Sequence, residues 1–138
     1  NARILATLTW AAALPDWPGP AEGERPTAYV VILHDSTVSQ PVPIDVGIAA
    51  QTLLLASVSV GLGGCMFGAV ARARLAEILH LPPELQIMLV VALGRPVERI
   101  ILEDAQPGAS LSYYREPDQT HHVPKRRLED VLLRIEES

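Results

Sequence analysis

Gly61-Leu62-Gly63-Gly64-Cys65-Met66-Phe67-Gly68 lies near the end of a run, Val46 to Ala71, that carries no charged residue. The part before the glycines, Val46 to Val60, is interrupted by Gln51, Thr52, Ser57 and Ser59. It falls short of the roughly 20 mostly apolar residues that a bilayer crossing takes, so it reads as a buried helix rather than a membrane span. Asp45 suits its N-cap ahead of Val46 and Gly47, and Gly61 suits its C-terminal cap. A helix stop followed by a tight turn accounts for Gly61 and in part for Gly63, but not for Gly68. Glycines let backbone approach a planar or phosphorylated ligand because no Cβ intervenes.

Two familiar phosphate-binding patterns do not fit this segment. A dinucleotide fingerprint follows a strand and opens a helix, whereas here a helix comes first and Met66 holds the place of the third glycine. Gly63 and Gly68 have the spacing of a Walker motif, but Ala69 and Val70 follow where Lys and Ser or Thr are required.

Working outward, Arg3 to Ala13 has apolar residues at helical spacing and ends in the turn-rich Leu14-Pro15 to Pro20 region. Thr27 to His34 is a nearly unbroken apolar run that predicts a central strand buried on both faces. Arg72 to Leu79 predicts a short helix stopped by Pro82-Pro83, and Gln86 to Leu93 a second buried strand. Ser110 to Arg115 predicts a short edge strand. Leu128 to Glu137 predicts an amphipathic helix with Leu128, Val131, Leu132 and Ile135 on one side. The pattern is α+β, with helices packed on a sheet.

The chain has 138 residues, 49% of them hydrophobic and 20% charged, which supplies a real core for a single domain. A formal charge of -5 argues against a general nucleic-acid surface, so any anion site is local. The single cysteine, Cys65, excludes an internal disulfide and fits a reducing, cytoplasmic setting. A helix without a charged face needs cover on every side, which points to a homodimer; the alternative is that Val46 to Val60 runs through the middle of a monomer.

A local anion site is suggested by Pro124-Lys125-Arg126-Arg127, just before the expected helix at Leu128. Cations are disfavoured at the positive end of a helix dipole, and a bound phosphate turns that cost into a gain. Glu129 and Asp130 offset it equally well without a ligand, so both readings stand. Cys65 reads as a small buried hydrophobe rather than a reactive thiol. His121 and His122 diverge on extended backbone and lack further ligands nearby, so no metal is expected. Tyr113 and Tyr114 should alternate, one buried and one exposed, and Trp10 and Trp17 either flank a pocket or anchor a loop.

In order and spacing, six stretches resemble the C-terminal part of the FMN-dependent nitroreductase family. They are Gly23 to Tyr29, Asp45 to Gln51, Gly61 to Gly68, Leu81-Pro82-Pro83, Ala92 to Pro96 and His121 to Leu128. The resemblance implies a three-layer α+β fold with helices around a central, mainly antiparallel sheet, assembled as a homodimer that holds FMN at its interface. It implies electron transfer from NAD(P)H through flavin N5 to a nitroaromatic, quinone or similar small acceptor, with no catalytic side chain because the cofactor does the chemistry. The backbone of Cys65, Met66, Phe67 and Gly68 would lie against the flavin, with an amide near Phe67 or Gly68 facing N5. Lys125 and Arg127 would hold the phosphate while Arg126 faces solvent. The family's Arg-rich N-terminal segment has no counterpart here, so the expectation is one partial domain, residues 1–138, truncated at its N-terminus. Flavin binding without turnover, and a structural or partner-binding domain of the same fold, are the alternatives.

Overall fold

The computed structural model describes residues 1–11 and 13–133. The chain divides into two compact units, one of residues 1–10 and 19–96, the other of residues 11–18 and 97–138.

The first unit is built on an antiparallel three-stranded sheet ordered β1-β3-β2, where β1 is Ala28–Asp35, β2 is Gly63–Phe67 and β3 is Leu85–Gly94. Three helices belong to it: α1 (Ala2–Leu5), α2 (Pro43–Ser59) and α3 (Arg72–Leu79). Successive strand residues face opposite sides, so Gly64 and Phe67 lie on different faces of β2. The Gly64 face meets Leu54 of α2, whereas Phe67 joins Leu8, Leu75 of α3, Ile87, Val90 and Ala92 in a buried cluster. That arrangement gives helix α2, the sheet, and a layer formed by α3 with the N-terminal segment. Ala50 and Ser57, at the spacing of two helical turns, are the buried residues of α2, and their small size lets the helix sit close to β2.

The register of β3 contains a bulge that the core depends on. Ile32 pairs with Leu89 but Leu33 pairs with Ile87, so Met88 has no partner on β1. In a regular strand Ile87 and Val90, three apart, would face opposite sides; the extra residue turns Ile87 onto the face of Val90 and Ala92, where it packs in the same cluster.

Several sequence expectations need correction. The first helix ends at Leu5, not Ala13, because the β-prone Thr7 and Thr9 leave it, with Leu8 between them, to run beside Val70, with Thr9 N–H donating to Ala69 O at 3.0 Å and Ala71 N–H to Thr7 O at 2.8 Å. β1 is half-buried and lies at the sheet's edge among the described residues, and β3 is the central strand. Both are continuous apolar runs, and periodicity alone cannot rank them. Helix α2 begins at Pro43, whose fixed φ suits the first helical position, so Asp45 sits inside the first turn rather than capping it. Helix α3 matches its expected bounds, but its stop is His80 in the left-handed conformation rather than the later prolines.

The second unit holds a mixed three-stranded sheet ordered β4-β6-β5, with β4 at Ile100–Ala105, β5 at Tyr114–Arg115 and β6 at His121–Arg126. β4 and β6 are parallel, β5 and β6 antiparallel. Neither β4 nor β6 was legible as a strand, and the expected strand at Ser110–Arg115 shrinks to β5. Helix α4 spans only Leu128–Val131; Ile135 and the rest of its expected last turn lie outside the described residues.

Candidate functional site

The glycine-rich segment is not a turn after the helix but a strand leading out of the sheet. Gly61 ends α2 at φ +77°, its N–H donating to Val58 O at 3.0 Å while Leu62 N–H donates to Ser57 O at 2.9 Å. These two bonds satisfy the orphan carbonyls of the last turn and require a left-handed residue at Gly61. β2 then pairs with β3 from Gly63 opposite Gly94 to Phe67 opposite Val90.

The remaining glycines have different reasons. A Cβ on Gly64 would stand 2.5 Å from Leu54 Cδ2 and 2.7 Å from Leu93 Cδ2, and one on Gly63 would stand 3.3 Å from Pro96 Cβ. Both are shaped by packing within the chain. Gly68 is not: a Cβ there would meet nothing within 4 Å and its φ is not positive. Open space lies over a backbone that nothing in this unit obliges to be glycine.

Around Gly68 the backbone is fixed on both sides. Phe67 is buried and its ring meets Trp10 edge-on, centroids 4.6 Å apart. After Gly68, Ala69 to Ala71 hydrogen-bond with Thr7 and Thr9, and Arg72 opens α3. Met66 and Cys65 are exposed on β2, so the expectation of a buried Cys65 is corrected. Apolar surroundings still push the Cys65 thiol above its ordinary pKa, which disfavours the reactive thiolate.

Lys125 and Arg127 lie at the end of β6, two residues apart on extended backbone and therefore on one side, with Arg126 on the other. Lys125 is exposed. The Arg127 guanidinium is engaged: Nε donates to Asp130 Oδ2 at 3.1 Å, and Nη1 lies 3.0 Å from Glu129 Oε1. These carboxylates hold the Arg127 pKa above its ordinary value, the hydrogen bond to Asp130 foremost. Of the two readings of the basic triad, the structure displays the internal offset, and the four-residue α4 supplies no long helix dipole for a phosphate.

The same unit contains a cluster that sequence reasoning missed. His122 is buried, and its Nδ1 lies 2.6 Å from Glu103 Oε1 across the β4–β6 pair. Its Nε2 faces Glu116 Oε1 at 3.6 Å, and Tyr114 stacks on its ring at 4.8 Å while donating its hydroxyl to Glu103. His121, on the other side of β6, meets Tyr113. Its pKa is lowered by burial first, then by the positive charge of Arg115 and by His122. Arg115 pairs with Glu98 and lies over Trp17 at 4.3 Å, which makes Trp17 a loop anchor. The complementary pairs are set by cross-strand register, for which adjacent His residues in a sequence give no signal. Among the described residues no three His, Cys, Asp or Glu side chains stand close enough to hold a metal ion, and no helix is long and apolar enough to cross a membrane.

The nitroreductase family model matches residues 25–95, just over half of the chain and all within the first unit. The chain belongs to the nitroreductase family. Among solved structures, it resembles a candidate NADH dehydrogenase/NAD(P)H nitroreductase from Bacteroides thetaiotaomicron VPI-5482, with 23% identity, a TM-score of 0.54, and coverage of 78% of this chain and 60% of that one. That likeness agrees with the α+β fold. Weaker matches are a nitroreductase family protein from Clostridium novyi NT (26% identity, TM-score 0.46, 49% of this chain and 42% of that one) and an FMN-dependent nitroreductase from Clostridium difficile R20291 (22%, 0.48, 51% and 46%). The chain thus spans 42% to 60% of the length of these proteins.

Proposed function

We propose that the chain is part of an FMN-dependent oxidoreductase that carries electrons from NAD(P)H to a nitroaromatic, quinone or similar small acceptor in the cytoplasm. The observation that carries this reading is Gly68: within the matched residues Gly47 and Gly68 have neither a conformational nor a packing reason to be glycine, and of the two only Gly68, just past β2, lies outside a helix and borders open space there. A flat ring laid on that backbone supplies the reason. FMN, when bound, supplies hydride transfer at N5, so the protein's share is placement and exclusion of water. The backbone of Cys65 to Gly68 supports the ring, and Lys125 with Arg127 takes the phosphate. In this reading Arg127 exchanges Asp130 and Glu129 for phosphate oxygens, a fork-shaped donor set moving from one anion to another.

The homodimer belongs to the same proposal. Ile44, Ile48, Leu55 and Val58 form a stripe along α2 at helical spacing, each more than 60% exposed. Such a face on a nearly uncharged helix is covered best by a second copy of the chain.

The test is an absorbance scan of the purified protein after incubation with FMN. Peaks of oxidised flavin that survive desalting and bleach on anaerobic addition of NADPH or NADH are the expected result, and Arg127→Ala should lower flavin occupancy. A colourless protein refutes the reading. One observation favours an alternative, a domain that kept the fold and not the site: the Arg127 guanidinium is already satisfied by its own helix's carboxylates. Unchanged flavin occupancy in Arg127→Ala would remove Arg127 from the phosphate site.

A further inference from the structure

The β3 bulge leaves a problem of hydrogen bonding that one side chain solves. β2 ends at Phe67 opposite Val90, so the stretch of β3 from Ile87 to Leu89 has no strand beside it on that edge. Arg72, the first residue of α3, fills the gap: its Nε donates to Ile87 O at 3.0 Å and its Nη2 to Met88 O at 3.3 Å. Consecutive carbonyls of a regular strand point to opposite edges. One guanidinium reaches both here because the bulge at Met88 brings them to the same side. The fork geometry of Arg matches that pair, and the single ammonium of Lys would not.

Arg72 is joined to Gly68 by only three residues, Ala69, Val70 and Ala71. At one end of this link Phe67 is pinned by burial and by β3; at the other Arg72 is pinned to β3 across the bulge. Val70 bridges Leu8, and Thr7 and Thr9 hydrogen-bond its neighbours. We propose that Arg72 is a positioning residue: its clasp on the Ile87 and Met88 carbonyls sets the path of residues 68–71, and so places the Gly68 backbone against the ring that the proposed function puts there. The placement toward flavin rests on that reading; the setting of the backbone path does not.

Two measurements on the full chain separate these claims. In the flavin-free protein, hydrogen exchange of the Ala71 amide, which donates to Thr7 O at 2.8 Å, should quicken about tenfold in Arg72→Gln, the change expected for losing a charge-assisted hydrogen bond, while the β2 amides paired with β3 stay protected. Unchanged exchange at Ala71 overturns the proposal. With FMN added, Arg72→Gln should weaken binding about tenfold and alter the visible circular dichroism of the bound flavin at saturation, with Arg72→Lys falling between it and wild type. A control that lowers the melting temperature equally from β1, Val31→Ala, should change neither. If the control weakens FMN as much, or if Arg72→Gln binds it with wild-type affinity and spectrum, the positioning role toward flavin is overturned. A wild-type chain that takes up no FMN while exchange behaves as expected refutes the proposed function and leaves the backbone role standing.

Discussion

Gly64 and Gly68, four residues apart, should respond in opposite ways to the same added methyl group. At Gly64 an ideal Cβ lies 2.5 Å from Leu54 Cδ2, 2.7 Å from Leu93 Cδ2 and 3.0 Å from Ala92 O. The two leucine ends can rotate away, but the Ala92 carbonyl belongs to the central strand and its residue is 2% exposed. Overpacking of this kind costs about 1–3 kcal/mol, and the lower entropy of unfolded alanine returns about 0.4–1 kcal/mol. Gly64→Ala should therefore lose roughly 1–2 kcal/mol, seen as a fall of about 3–8 °C in the melting temperature of the flavin-free chain by far-ultraviolet circular dichroism. Trimming the partner should relieve it, so Leu54→Ala combined with Gly64→Ala should cost less than the two single changes added. At Gly68 a Cβ meets nothing within 4 Å. Gly68→Ala should leave melting within about 2 °C of wild type while weakening FMN retention. A neutral Gly64→Ala, or additive behaviour with Leu54→Ala, would refute the packing argument. Full flavin retention in Gly68→Ala would refute the claim that its missing side chain serves a ligand.

Leu75 is fully buried in the cluster on α3, so Leu75→Ala should cost about 2–5 kcal/mol in urea unfolding, and a loss under 1 kcal/mol would mean that the cluster is not the stabilising core. Ile48→Glu, on the exposed stripe of α2, should convert a dimer to a monomer in light scattering after size exclusion; an unchanged mass would clear that face of a role in assembly. The His121 pKa is lowered, so below about pH 6.5 the unfolded chain takes up a proton that the folded chain resists, and acidification costs stability. Stability of His121→Gln should accordingly gain on wild type as pH falls from 7 to 5, and a constant difference would show that His121 does not titrate in that way. Glu103→Ala leaves buried His122 without its 2.6 Å partner and should cost about 1–3 kcal/mol, more than the double change Glu103→Leu with His122→Leu; the reverse order in urea unfolding would refute the pairing.

The elements that sequence reasoning recovered are those whose stability is local or apolar. Arg72 to Leu79 was placed with its observed bounds, and the apolar runs at β1 and β3 were recognised as strands, because burial writes itself into composition. The order of those strands was not recoverable: β1 and β3 look alike in sequence, and only pairing shows that β3 lies between β1 and β2. Gly61 was read correctly because a helix end needs a left-handed residue, a local demand. β2 was missed because Gly63 and Gly64 carry the signature of a turn, while the crowding by Leu54 and Leu93 that explains Gly64 comes from residues distant in sequence. Arg72 was invisible for the same reason: its partners are carbonyls of Ile87 and Met88, which any residue could supply. At the basic end, the sequence leaves open that Glu129 and Asp130 offset the basic triad without a ligand, and the structure shows that offset as ion pairs with Arg127, a neighbour in the chain.

The two units are held by different physics, and the difference explains why one was legible and the other was not. Among the described residues, Ala105 is the only buried apolar residue of the second unit, while Thr120 and His122 are buried polar ones. So little apolar burial cannot fix a register, because a slip of one residue would expose almost nothing. What a slip would break is the set of cross-strand contacts: Glu103 with His122, Tyr114 stacked on the same ring, Arg115 with Glu98, and Trp17 under Arg115. Glu103 sits two positions beyond Ile101, the register partner of His122, and so on the same face of the paired strands; their hydrogen bond selects the β4–β6 alignment that no hydrophobic pattern encodes. Polar contacts of this kind specify geometry at little net gain in stability. Lys125 and Arg127 extend from the strand whose alignment is fixed in that way, so their presentation depends on charges and hydrogen bonds a few residues upstream rather than on a core beneath them.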